Sequence, residues 1–390
     1  MKNPTFFLMF IILMLIGCQP QKPIQTTSTT LDSLAEGFAN PPMSAKPKAL
    51  WDWVNGNANL SRITEELEAA KAKGMSGFDI WDVGILVDDN QVVPAGPPFL
   101  SDPSLQAIGH AIREATRLGM ELGLITSSSW NSGGTWTRPE HTAMALYRTY
   151  HQSAGGAIDL ELSFPAMPER YGRHKTLIEK DTVSGRPVFY QDVCVLAIGT
   201  TSDSLLQSDQ IIDLSPYLRG DRLVASLPEG QWTLVRYTCA PSGQSLAIPS
   251  TNSQAPMMDH FSAEAQKANL QYIFSRLQTE VPDIKQSALK YLYVDSYEVN
   301  SGIWTPRLVD YFDSLMGYSP LPYLPVLDGY VVENEEISSR FLEDFNKVLS
   351  EMIIQNHYRL GRQICEQHGI GYAAEAGGPG QPITMCPLKT

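Results

Sequence analysis

Two carboxylates and an aromatic residue lie within four positions at Asp295, Tyr297 and Glu298, directly after an apolar run at residues 290–294. A third carboxylate, Glu375, follows another short apolar stretch and precedes the run Gly377-Gly378-Pro379-Gly380. Cleaving a glycosidic bond needs two such groups: a protonated one gives its hydrogen to the leaving oxygen, and an ionised one activates water or attacks the anomeric carbon. Glu298 is the first candidate for the acid, because partial burial and the like charge of Asp295 would raise its pKa and keep a proton available near neutrality. The same spacing also suits a cap for the helix beginning near Thr305, or an ion pair. Glu375 could complete the catalytic pair, bind substrate or metal, or tie down backbone amides of the glycine-rich loop.

Around these acids the sequence places polar and aromatic groups that could hold a sugar. Trp51, Trp53 and Asn55 cluster in one segment, Asp82 follows a second apolar run, and Trp130 and Asn131 follow a third. Indole faces stack on the apolar faces of sugar rings, while amides and carboxylates meet hydroxyls edge-on. With Tyr297 and Glu375 these form the expected substrate-binding set. Other chemistries are poorly supported. Ser132-Gly133-Gly134 lacks both a P-loop lysine and GxGxxG spacing, no GxSxG elbow surrounds Ser127–Ser129, and no HExxH zinc pair occurs. Cys194, Cys239, Cys365 and Cys386 are too widely spaced for a CxxC site.

The elements that must position these residues alternate. Strands are expected at residues 49–54, 76–85 and 120–127, separated by helices at 60–73 and 104–118 with apolar residues at helical spacing. Short alternating segments punctuated by Gly, Pro, Ser and Asp then fill 154–256, clearest at 187–198 and 231–239, and read as an inserted antiparallel β domain. Helix returns at 262–277, strand at 290–294, helices at 306–316 and 337–368, and strand at 371–375. Repeated strand-then-helix units mark a parallel α/β architecture whose functional groups gather at the carboxyl ends of the strands. Five strand candidates lie outside the insert where a (β/α)8 barrel has eight, so the chain carries either a smaller open sheet or an incomplete barrel.

The chain has 390 residues, 43% of them hydrophobic and 18% charged, enough for a large core. Lys plus Arg number 29 against 42 Asp plus Glu, a formal charge of −13, which makes nucleic acid an unsuitable partner. Residues 1–18 (MKNPTFFLMFIILMLIGC) have one Lys and an apolar run at 6–16, shorter than the ~20 residues of a bilayer-spanning helix. They read as a signal peptide, and Leu15-Ile16-Gly17-Cys18 resembles a bacterial lipobox with Cys18 as the lipidated residue. Residues 19–46, rich in Pro, Ser, Thr, Gln and Lys, read as a flexible tether to an anchor in the cell envelope, in the periplasm or on the outer-membrane surface.

Several of these motifs together resemble glycoside hydrolase family 106, the α-L-rhamnosidases. The resemblance is carried by residues 51–57 (WDWVNGN), 78–84 (FDIWDVG), 115–140 (ATRLGMELGLITSSSWNSGGTWTRPE) and 295–325, with further agreement at 227–238 (LPEGQWTLVRYT), 259–265 and 374–380 (AEAGGPG). It spans nearly all of 47–390 in order. What it implies is a (β/α)8 catalytic barrel with β-sandwich additions, inverting hydrolysis of α-L-rhamnosidic bonds in a rhamnose-containing glycan, and a calcium requirement. Asp295 and Glu298 would be the catalytic acids, Glu298 the general acid, with the general base beyond Thr390. On this reading the chain is an N-terminal fragment: residues 47–153 begin the barrel, 154–256 are the insert, and 257–390 continue the barrel to a truncation. Asp52 departs from the family, which more often has an aromatic or neutral polar residue there. The competing expectations are a non-catalytic glycan-binding lipoprotein and a hydrolase for another sugar.

Overall fold

The computed structural model describes residues 31–85, 92–171, 174–200, 204–297 and 303–375, in two units, residues 1–46 and 47–390. In the first unit, the stretch expected to be a flexible tether contains a helix at Leu31–Ala39. Leu31, Leu34 and Phe38 recur there at helical spacing.

The second unit is built on a parallel sheet of five strands lying side by side in chain order: Lys48–Val54, Gly77–Val83, Glu121–Ile125, Leu289–Val294 and Gly371–Ala374. Helices at Leu60–Ala72, Asp102–Leu118 and Ala263–Glu280 connect or precede them. Asn59 caps the first of these helices, accepting from the amides of Ser61 and Arg62. Gly119, in the left-handed region at φ 61°, ends the second. The helices seal one face of the sheet through Ile63, Leu67, Ile108, Ile112, Leu270 and Phe274.

Strand alternation decides which side chains meet that helical layer. Trp51 pairs in register with Ile80, and Leu124 pairs with both Ile80 and Leu292; all four are buried in the core under the helices. The intervening residues, Leu50, Asp79, Gly123 and Tyr291, share the opposite face, where Leu50 is 52% exposed. Near the amino ends of the strands this face is tied by charge. Tyr291 donates to Asp79 (2.6 Å), and the Lys48 ammonium reaches both the Tyr291 hydroxyl (2.6 Å) and the Asp79 carboxylate (3.1 Å). Asp79 and Tyr291 stand on the second and fourth strands, so the contact crosses the third above Gly123. A β-carbon on Gly123 would sit 2.4 Å from Asp79 Oδ1 and 2.5 Å from the Tyr291 ring.

Between the third and fourth strands the chain forms antiparallel sheets, one of which gains Ile303–Trp304 from beyond the fourth strand. Five strands pair in the order Ile211–Asp213, Gln191–Gly199, Trp232–Pro241, Met144–Ser153 and Ile303–Trp304, and three more in the order Leu218–Arg219, Arg222–Leu227, Gly156–Glu161. Antiparallel pairing thus begins at Met144, ahead of the 154 expected from composition, because Met144–Ser153 matches Trp232–Pro241 residue for residue. The central strands are buried on both faces: Leu196 and Tyr237 pack toward the helices Leu308–Met316 and Glu335–Ile353, and Val195 and Leu234 toward the three-stranded sheet.

The helix expected over 337–368 runs through Glu335–Ile353 and Leu360–Gln367, but residues Ile354–Arg359 widen into a π turn. The wider turn lets Asn356 donate to the Phe261 carbonyl (2.7 Å) and sets His357 wholly inside.

Replacing Gly123 by Ala should cost about 1–3 kcal/mol by forcing Asp79 and Tyr291 apart. Thermal unfolding of Gly123→Ala beside Tyr291→Phe checks this; the Ala variant should melt lower than wild type, and the two substitutions combined should cost less than their sum, since both break one contact.

Candidate functional site

The face opposite the helices carries the described groups most suited to chemistry. Toward the carboxyl end of the fourth strand, Tyr291, Tyr293 and Asp295 alternate with Leu292 and Val294, so the two tyrosines and the acid line up on the open face. Asp295 is only 6% exposed; it accepts from the Tyr293 hydroxyl and from Ser296 Oγ, both at 3.3 Å. The adjoining fifth strand is continued by the Glu375 amide, which donates to the Val294 carbonyl (3.0 Å). Burial, then the negative charges of Asp295 and Glu375, push the Tyr293 phenol above its ordinary range. Asp295 thus meets the Tyr293 hydroxyl directly, and Glu375 adds negative charge from the neighbouring strand. From the second strand Trp81 brings its ring to 6.2 Å from that of Tyr293, and its buried indole N–H donates to no described residue.

Above this face the strand-end loops are fastened by a buried carboxylate. Asp82 accepts from Ser250 Oγ (2.7 Å) and from Ser128 Oγ, while the Ser250 amide donates to Ser128 Oγ (2.9 Å). Ser129, at φ 119°, donates its amide to the Asp82 carbonyl and accepts from the Ile248 amide at 2.8 Å. Burial outweighs the two serine hydrogen bonds and raises the Asp82 pKa from 3.8 to about 6. Asn55, also left-handed at φ 56°, accepts from the Thr251 amide (2.7 Å) and donates to the Val93 carbonyl (3.1 Å). Asn55 and Asp82 thus join the first and second strand ends to the 248–251 segment that leaves the insert.

The remaining sequence candidates separate. Trp51 and Trp53, expected as stacking platforms, are 9% and 6% exposed on the helix-facing side; their rings meet edge to face at 5.7 Å, and Trp51 donates to Glu66 of the first helix (2.9 Å). Strand alternation puts them there, in register with Ile80 and Asp82. Trp130 is half-buried on the loop after the third strand, whereas Asn131 is fully buried and its carbonyl accepts from Ser127 Oγ (2.6 Å). Tyr297 turns away from the open face into the second core, against His260 and Phe261. Glu298 and Cys18 lie outside the described residues. Trp81 and Tyr293, absent from the sequence-based set, are signalled by the alternation of residues 290–295 (KYLYVD) and 78–83 (FDIWDV), in which every second residue shares a face.

Calcium, implied by the resemblance, would need several oxygen donors converging. Among the described residues no three His, Cys, Asp or Glu side chains converge into such a site.

A family model for glycoside hydrolase family 106, described as alpha-L-rhamnosidase, matches residues 39–205 and 198–386. A protein of Formosa agariphila carrying a provisional beta-glucuronidase name is 28% identical over 362 residues, covering 88% of this chain and 30% of that protein. The solved structure of a rhamnosidase from Novosphingobium sp. PP1Y superposes with a TM-score of 0.73 at 20% identity, covering 88% of this chain and 47% of that one. The chain spans less than half the length of either. At that identity the structural likeness establishes a shared fold.

The Asp82 clasp gives a pH signature. A carboxyl whose pKa is higher folded than unfolded favours folding fully below about pH 4, and that contribution is lost as pH rises through about 6. The melting temperature of wild type relative to Asp82→Asn should fall between pH 4 and 6 and level off near pH 7, measured by calorimetry at matched ionic strength.

Proposed function

The chain belongs to glycoside hydrolase family 106, the α-L-rhamnosidases, and from that premise we propose that it contributes the acid side of an active site cleaving α-L-rhamnosidic bonds in glycans with inversion. The observation that carries this reading is the Asp295–Tyr293 hydrogen bond beside Trp81 on the open face of the parallel sheet, with Glu375 following the adjoining strand. A sugar seated there has an indole for its apolar face and acids for its hydroxyls.

In this reading Glu298 donates a proton to the departing oxygen as the C1–O bond breaks, and water attacks C1 from the opposite side of the ring, giving up a proton to a carboxylate. Asp295, held by Tyr293 and Ser296, supplies the negative potential that keeps Glu298 protonated and balances the cationic transition state. Glu375 binds ring hydroxyls, and of the described carboxylates it is the one to test as the water-activating base. The sheet itself is read as part of a (β/α)8 barrel, because its strands adjoin in chain order without the reversal of a doubly wound fold. Residues 1–18 are read as a leader ending in a lipid anchor at Cys18, holding the enzyme at the cell envelope.

Incubation with an α-L-rhamnosyl oligosaccharide should release L-rhamnose whose first-formed anomer, seen by NMR, is β. Glu298→Gln should lower kcat on that substrate by at least about a hundredfold, and far less on an aryl rhamnoside whose leaving group needs no proton. Equal losses on both substrates would remove Glu298 from the acid role. Separately, Cys18→Ala should abolish incorporation of labelled palmitate and shift the protein out of the membrane fraction.

A further inference from the structure

Behind the acid-bearing segment the molecule holds polar groups that the hydrolytic reading does not use. His260 and His357 are fully buried, their rings 4.7 Å apart, and Tyr297 packs edge-on to His260 at 5.2 Å. None of the four imidazole nitrogens makes a hydrogen bond of good geometry, nor does the Tyr297 hydroxyl. The Met258 backbone interacts with the His260 ring. A neutral imidazole has one donor and one acceptor, so three side chains here bring donors and acceptors into a region where leaving one unmet is costly. Such groups are satisfied in folded proteins by a partner or by an enclosed water.

The setting offers a place for one. A half-open pocket of about 10 Å³, lined in part by Asp259, His260, Phe261, Tyr297 and Trp304, is close to the smallest space that holds a single water. The elements around it form a chain of grips. The π turn reaches the 259–261 segment through Asn356, which donates to the Phe261 carbonyl, and through the His357–His260 ring contact. That segment in turn grips both ends of the acid-bearing loop. Tyr297 lies against His260 and Phe261, and Thr305 donates to the buried Asp259 carboxylate (2.7 Å). Met258 and Asp259 also donate their amides to the Ser132 and His141 carbonyls, anchoring the segment to the loop after the third strand.

We propose that Tyr297 and His260 share one bound water, that His357 packs behind His260, and that this positioning centre fixes the loop carrying Asp295. Its relevance to catalysis rests on the proposed function; its existence does not. The π turn supplies the third member: it carries the buried His357 next to Asn356, which holds the Phe261 carbonyl. The three are positioning residues, since none lies on the open face.

Tyr297→Phe removes one oxygen and leaves the packing in place, and the two possibilities for the cavity then predict opposite signs. With a shared water, the variant melts lower, and amide exchange at 295–297 and 303–305 quickens by about tenfold while strand Leu289–Val294 is unchanged. In a dry cavity the lost hydroxyl was unpaired, so the variant melts at or above wild type with exchange unchanged, and the proposal falls. His260→Gln, which keeps a donor and an acceptor, should retain wild-type exchange at these amides, and His260→Leu, which keeps volume only, should not. If Leu protects the loop as well as Gln does, the grip is packing and the proposal also falls. These readouts use the whole 390-residue chain and need no substrate. A chain that passes them yet hydrolyses no rhamnoside would fail the functional reading alone, whereas in an active chain Tyr297→Phe should lower kcat about tenfold at nearly constant KM.

Discussion

The two-residue period of a strand is the constraint from which the rest of this molecule follows. In the five-stranded parallel sheet one set of alternate residues must be apolar, because helices cover that face, and only the other set is free to be chemical. Trp51, Trp53, Ile80, Leu124 and Leu292 satisfy the first demand. Asp79, Trp81, Tyr291, Tyr293 and Asp295 answer the second, and Gly123 keeps the middle of that face low enough for Asp79 and Tyr291 to meet across it. A shift of one residue in any of these strands would exchange its two sets.

Precision at the carboxyl ends comes from buried polar groups rather than from the sheet. Asp82 collects two serine hydroxyls from separate loops, Asn55 ties the first strand end to the 248–251 segment, and Asp259 holds Thr305 beyond the fourth strand. Burial raises the pKa of Asp82 to about 6 and of Asp259 to about 7. Each carboxyl is costly to bury charged, and each is retained where segments well apart in sequence must meet. The antiparallel insert takes part in this: residues leaving it at 248–261 hold the rim after the first and third strands and, through Asp259 and His260, the segment after the fourth.

Much of this was legible in the sequence. Periodicity located the five parallel strands and their helices, the change of rhythm after the third strand coincides with the antiparallel strands, and the motifs pointed to the family. The residues that lie away from the open face share a cause. Trp51 and Trp53 look like a sugar platform because indoles stack on rings, but indoles also fill cores, and only the pairing of Trp51 with Ile80 shows which they do here. Tyr297 sits between two acids in sequence and yet faces the other way, since the chain has left the strand and alternation no longer governs its direction.

The sequence by itself determined the kinds and spacing of the groups: apolar residues every second or every third to fourth position, acids and aromatics at the strand ends, glycine at the tight approach over Gly123. These are local properties, set by backbone periods that a single segment contains. The tertiary structure decided which face each set occupies and which distant groups share a burial site. Asp82 with Ser250, Tyr297 with His260 and His357, and Asp79 with Tyr291 are contacts between residues far apart in the chain, fixed by sheet order and register rather than by any short run of residues.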